Sequence, residues 1–126
     1  MPGSKGYAGR IADIPVADDA VHSADVTKRI IFAPGKFWDD YVVRHFTVAG
    51  SAQTPFHDHD WPHYVLIMAG KCRASIDGET YDLERGSWAH VPSNVRHFFL
   101  NTGDDPLEFV CIVPREGDAA GNICFS

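Results

Sequence analysis

No apolar run in the 126-residue sequence approaches the roughly 20 residues that a membrane-spanning helix needs; the longest stretches, such as Tyr64 to Gly70, stop far short. Runs of Lys or Arg are also missing, and seventeen acidic against eleven basic residues give a formal net charge of -6. General attraction to nucleic-acid phosphates or anionic lipid is therefore disfavoured, and neither nucleic acid nor membrane is expected as a partner. Cysteine is scarce: Cys72, Cys111 and Cys124 are odd in number and far apart, which suits neither a disulfide framework nor a CxxC site, so reduced thiols are expected. Met1 to Gly6 lacks the apolar segment of a secretory signal, so nothing marks the chain for export and the cytoplasm is the expected location. Repeats, low-complexity tracts and a sustained helical period are absent too. What remains is an ordinary globular composition, 44% apolar and 22% charged, at a length suited to one domain.

The first residues mix Gly, Pro, Asp and Ala without periodicity, so residues 1–27 read as an N-terminal arm with one short strand near Ile11 to Val16. Residues 28–117 read as a β domain and 118–126 as a C-terminal tail. Within the domain, short β-branched and aromatic runs alternate with turn residues. Strands are expected near Arg29 to Phe32, Tyr41 to Val48, Thr54 to His59, Tyr64 to Met68 and Cys72 to Ile76. Others are expected near Glu79 to Leu83, Ser87 to Val91, Arg96 to Leu100 and Leu107 to Val113. Asp77-Gly78 is a two-residue hairpin signal, and Ala69-Gly70 and Arg85-Gly86 mark further turns. The architecture is all-β.

Five of the seven histidines fall between His57 and His97. Residues two apart on a strand share a face, so His57 and His59 can converge on one point while Asp58 and Asp60 turn away. Trp61-Pro62 supplies a bend, after which His63 could bring a third imidazole, and His97, beyond the turn Pro92-Ser93-Asn94, a fourth. Imidazole is the commonest protein ligand for divalent transition metals, and a cluster of them inside a barrel calls for a cation. A bare His-x-His is as common on a solvated strand as in a site; the spacing of the whole set is what favours the site. His22 reads as a surface histidine and His90 as a packed or surface one.

These residues resemble the cupin superfamily. Its first motif, G-x5-H-x-H-x3,4-E-x6-G, is similar to Gly50, His57, His59, His63 in the glutamate position, and Gly70. Its second, G-x5-P-x-G-x2-H-x3-N, is similar to Gly86, Pro92, Asn94, His97 and Asn101, with fifteen residues between Gly70 and Gly86. Gly50 stands one residue further from His57 than the motif asks, and Asn94 replaces a glycine, which Asn can do because it enters the left-handed region more readily than other side chains. The resemblance spans roughly Ile30 to Gly117 and implies a double-stranded β-helix, the cupin or jelly-roll barrel. With His63 in place of glutamate, the set resembles small single-domain bacterial cupins with four histidine ligands, some of which bind manganese and are associated with oxidative cleavage of carbon-carbon double bonds. The tracts Arg44 to Val48 and Glu108 to Gly117 are similar to that subgroup too. The resemblance implies one divalent transition metal per chain on His57, His59, His63 and His97, manganese first, with iron, nickel, copper or zinc as alternatives.

Strand parity places Phe99 on the face of His97, and Phe109, Cys111 and Val113 together on an interior face, so Phe99, Phe109, Cys111 and Arg44 are the pocket candidates. Cys111 is a polarizable pocket wall, a redox-sensitive thiol or a small core residue; Arg44 orients an anion or makes an ordinary ion pair. Trp61, Trp88 and Tyr64 either rim the mouth or pack. Four neutral imidazoles leave a divalent ion its full charge, which favours a small anionic substrate, and they remove a carboxylate base from the ligand set. The function expected first is a dioxygenase-type oxidoreductase on a small enol, aromatic or unsaturated substrate. A non-redox isomerase or lyase, and a binding cupin without turnover, are the alternatives. A homodimer is expected, the arm adding to a partner's sheet.

Overall fold

The computed structural model describes residues 6–17, 25–54 and 58–118. The described residues form eight strands: β1 (Val26–Phe32), β2 (Tyr41–Val48), β3 (His63–Ala69), β4 (Lys71–Ile76), β5 (Glu79–Glu84), β6 (Trp88–Val91), β7 (His97–Asn101) and β8 (Leu107–Pro114). All pair antiparallel, in a five-stranded sheet of order β1-β2-β8-β3-β6 and a three-stranded sheet of order β5-β4-β7. From β3 onward the chain passes back and forth between the sheets, the winding of a double-stranded β-helix. No helix of the described residues is long and apolar enough to cross a membrane.

Side-chain alternation explains which face closes the barrel. On β3, His63, Val65 and Ile67 are buried, whereas Tyr64, Leu66 and Met68 face outward. On β8, Leu107, Phe109, Cys111 and Val113 are fully buried, and Val110 on the opposite face is nearly so. Phe109 stacks between Phe46 and Phe99 at 5.2 Å on each side, the aromatic centre of the core. Each such ring contributes about 1.5–3 kcal/mol by leaving water. Asp77 and Gly78 join β4 to β5 with φ of 54° and 81°, the double left-handed turn that their sequence implies. Asn94 is left-handed as well, with φ of 64°.

Asn101 shows what the last residue of the second motif does. Its Nδ2 donates to the carbonyls of Val48, Ala49 and Asp105 at 3.0, 3.1 and 2.8 Å, and its Oδ1 accepts from Gly103 N at 2.9 Å. It ties three chain segments together.

Two expectations need correction. The segment Ile11 to Val16 is not a strand: Ile11–Asp13 is a one-turn 3-10 helix, followed by Pro15, which has no N–H to give a ladder. The arm beyond it is tied to its own β1, through Ala17 N donating to Lys28 O and Arg29 Nε donating to Ile14 O, both at 2.8 Å. The expected strand Thr54 to His59 is also not seen in its described part. Gln53 makes one bridge to Leu100, and Thr54 and Phe99 exchange two hydrogen bonds at 2.9 Å, but Asp58 and His59 pair with no strand. Pro62, just beyond, has no N–H to give to a ladder. The His59 carbonyl instead accepts from Asn94 N, at the turn before β7.

Candidate metal centre

His63 opens β3 at an inward position and His97 opens β7 at another; both are buried. His59, half-buried, reaches the same point from the link before β3. Ring centroids lie 4.8 Å apart for His63 and His97, 5.3 Å for His59 and His63, and 5.7 Å for His59 and His97. One nitrogen from each lies within 4.8 Å of the others. Around an ion at about 2.1 Å the donors would stand about 3–4 Å apart, so the ligand atoms need to close by roughly 1–2 Å at most. His57, the fourth expected ligand, lies outside the described residues, as do His22 and Cys124.

The donor chemistry fits a cation. His97 Nδ1 stands 2.9 Å from the Val95 carbonyl, and a carbonyl only accepts, so the proton is on Nδ1 and Nε2 carries the lone pair. His63 Nδ1 lies 3.5 Å from Cys111 Sγ, which commits that nitrogen and leaves Nε2 as the one to serve an ion. The ring of His59 lies parallel to the Trp61 indole, 2° from coplanar in orientation and 5.1 Å between centroids.

Behind His63 runs a buried polar chain. Cys111 Sγ accepts from Arg44 Nη2 at 3.1 Å, and burial pushes the thiol up against the opposing pull of Arg44. Arg44 Nη1 donates to Asp118 Oδ2 at 3.2 Å; Lys28 Nζ donates to the same carboxylate at 3.1 and 3.3 Å. Arg44, read as an anion anchor or an ion-pair partner, is found as an ion-pair partner. Phe99, Phe109 and Cys111 lie inside the barrel, the two rings in the aromatic core and the thiol beside His63. Tyr64 and Trp88 do not rim a mouth: alternation turns them onto the outer surface, where Tyr64 stacks on the exposed His90 at 5.3 Å. Cys72 and Cys111 are free thiols.

Lys28 and Asp118 were not singled out by the sequence. Lys28 sits two residues after buried Val26 at the same parity of β1, a signal that a charge faces inward. Asp118, 90 residues away, gives no local sign of being its partner.

The class this defines is a small antiparallel β-barrel with a candidate metal site of imidazoles at its interior. The chain belongs to the Cupin domain family, whose members share residues 44–113 of this sequence as their matching segment. Among solved structures it is similar to the polyketide cyclase RemF from Streptomyces resistomycificus, at 20% identity and a TM-score of 0.77 over 97% of this chain and 88% of that one. It is also similar to a cupin-2 domain from Rhodospirillum rubrum, at 21% identity and a TM-score of 0.75 over 94% and 80%. At these identities the likeness is one of fold. A curated relative, the polyketide synthase CurC of Streptomyces cyaneus, is 31% identical over 55 residues, 43% of this chain. The chain matches 36% of that relative's length.

Proposed function

We propose that this cupin is a metal-dependent small-molecule enzyme in which His59, His63 and His97, with His57 as the fourth ligand implied by the motif, hold one divalent ion. The observation that carries the reading is the convergence of three imidazoles within 4.8 Å, with the tautomer of His97 set by a backbone carbonyl. A divalent ion held there would act as a Lewis acid on a carbonyl or enol oxygen and acidify the adjacent C–H. The protein's own residues supply the surroundings. The Phe46, Phe99 and Phe109 rings line the barrel interior with apolar surface, and Trp61 and Cys111 each contact one of the imidazoles. The substrate class that suits this is a small, enolisable polycarbonyl compound, and the names of RemF and CurC, both polyketide proteins, support that choice.

On such a substrate the ion could promote ring closure without redox change or, as the four-histidine resemblance implies, support dioxygenase chemistry. Oxygen decides between them. Protein loaded with zinc should turn over a model 1,3-diketone or poly-β-ketone under strict anaerobiosis if ring closure is the reaction. Activity that requires both dioxygen and manganese or iron would make it a dioxygenase, and binding without product would make it a carrier.

A further inference from the structure

We infer that the C-terminal 3-10 turn Arg115–Asp118 is a positioning element for the histidine site, acting on His59 through Trp61 and on His63 through Arg44 and Cys111. The inference rests on reading His59, His63 and His97 as one metal site. It adds that two consecutive residues at the far end of the chain hold two different ligands.

Gly117 is the first contact. A Cβ built there would stand 2.8 Å from Trp61 Nε1, 2.9 Å from Trp61 Cδ1 and 3.0 Å from Val113 Cβ, so the indole edge lies closer to this backbone than any side chain permits. The indole face, in turn, lies parallel to the His59 ring. Trp61 Nε1–H is buried and finds no acceptor among the described residues, which is uncommon for a buried donor. The indole is therefore placed for its contact with His59 and not for a hydrogen bond of its own. Displacing it from residue 117 moves the surface against which the imidazole lies.

Asp118 is the second contact. Its carboxylate holds Arg44 by Nη1, which aims Nη2 at Cys111 Sγ, which in turn meets His63 Nδ1. The guanidinium also lies over the Phe46 ring at 5.1 Å, so it has one settled orientation. Each link is a direct contact between buried groups, and His63 takes its angle from the sulfur. Partners behind a ligating histidine typically change metal affinity 10–100-fold when removed.

The test uses the full chain. Zn2+ and Co2+ affinities are measured by chelator competition for the parent, Gly117→Ala, Asp118→Asn, the double variant Gly117→Ala/Trp61→Phe, and Gly9→Ala, where an added methyl meets nothing. Imidazole NMR signals are recorded on the metal-free proteins. Gly117→Ala should bind about 10-fold or more weakly and move the His59 ring signals but not those of His63. Trp61→Phe on that background, giving back the room, should recover most of the affinity. Asp118→Asn should weaken binding and move the His63 signals; Gly9→Ala should match the parent. If Asp118→Asn does not fold, the Gly117 and Trp61 variants decide alone. A parent that binds while folded Gly117→Ala binds within twofold of it, with unmoved His59 signals, overturns this inference only. A parent that binds neither ion overturns the metal site and this inference with it.

Discussion

Arg44 and Asp118, 74 residues apart in sequence, meet at 3.2 Å with neither side chain more than 2% exposed. An ion pair this dry is weak evidence of net stabilisation, but removing one partner takes a charge-assisted bond from a buried ion, and Asp118 serves Lys28 as well as Arg44. Asp118→Asn, which takes the carboxylate from both cations, should lower the unfolding free energy by about 3–5 kcal/mol; Arg44→Met, which leaves Asp118 its bonds to Lys28, should cost less, and the double variant should lose less than the sum. Urea denaturation of the three proteins measures this. Losses that simply add would show that the two side chains are independent.

Asn101 offers a different kind of test, because its amide donates to three carbonyls and accepts from one N–H. Asn101→Asp would set a carboxylate against those three oxygens, so a loss of at least about 3 kcal/mol is expected. A melting temperature close to the parent's would mean that these segments are held by other contacts.

His63→Ala and His97→Ala should each reduce metal content or affinity by an order of magnitude or more, while Ala at the outward His90 should change neither. Coordination needs neutral imidazole, so bound metal, at about one ion per chain, should fall as pH drops below about 6. Elemental analysis after equilibration across pH reads both effects; metal retained by His63→Ala and His97→Ala alike would remove the site.

Burial, with Asp82 adding, raises the Cys72 thiol from 9.0 to about 11. The unfolded chain ionises this thiol first. The stability gained by keeping it neutral is complete below about pH 9 and is lost as pH climbs from there to about 11. Denaturation midpoints should therefore fall more steeply over that interval in the parent than in Cys72→Ala. Equal slopes would locate the alkaline sensitivity elsewhere.

A homodimer was expected from the sequence, and the outer surface of β3 and β6 offers a face for one. Tyr64, Leu66 and Met68 stand 44–48% exposed in a row, and Trp88 is 73% exposed on the neighbouring strand. Light scattering at micromolar concentration should report a dimer, and Leu66→Glu with Trp88→Glu should yield a monomer. A monomeric parent would end the proposal; an unchanged dimer after deleting residues 1–17 would remove the arm from it.

The barrel was legible in the sequence because its strands carry their own punctuation. Alternation along β3 and β8, and turns such as Asp77-Gly78 that few other dipeptides could make, are local signals and survive folding unchanged. His63 and His97 were legible through motif spacing. His59 reached the same point by a route that strand parity did not describe, since its segment pairs with no strand and a backbone bond from Asn94 holds it instead. The Lys28, Arg44 and Asp118 cluster could not be read at all as a unit, because nothing in a linear pattern pairs residues 90 and 74 positions apart. Only the closed barrel brings them together.

His63 belongs to the five-stranded sheet and His97 to the three-stranded one. An ion gripped by both would act as a rivet between two plates that are otherwise joined by packing, by the Asn101 hydrogen bonds and by the loops that cross over. Occupancy then sets how easily the plates part: at a hundredfold excess over Kd a ligand bound only by the folded form adds about 2.7 kcal/mol. Amide exchange along β3 and β7 should slow together when the rivet is in, and the empty barrel should begin to breathe at that seam.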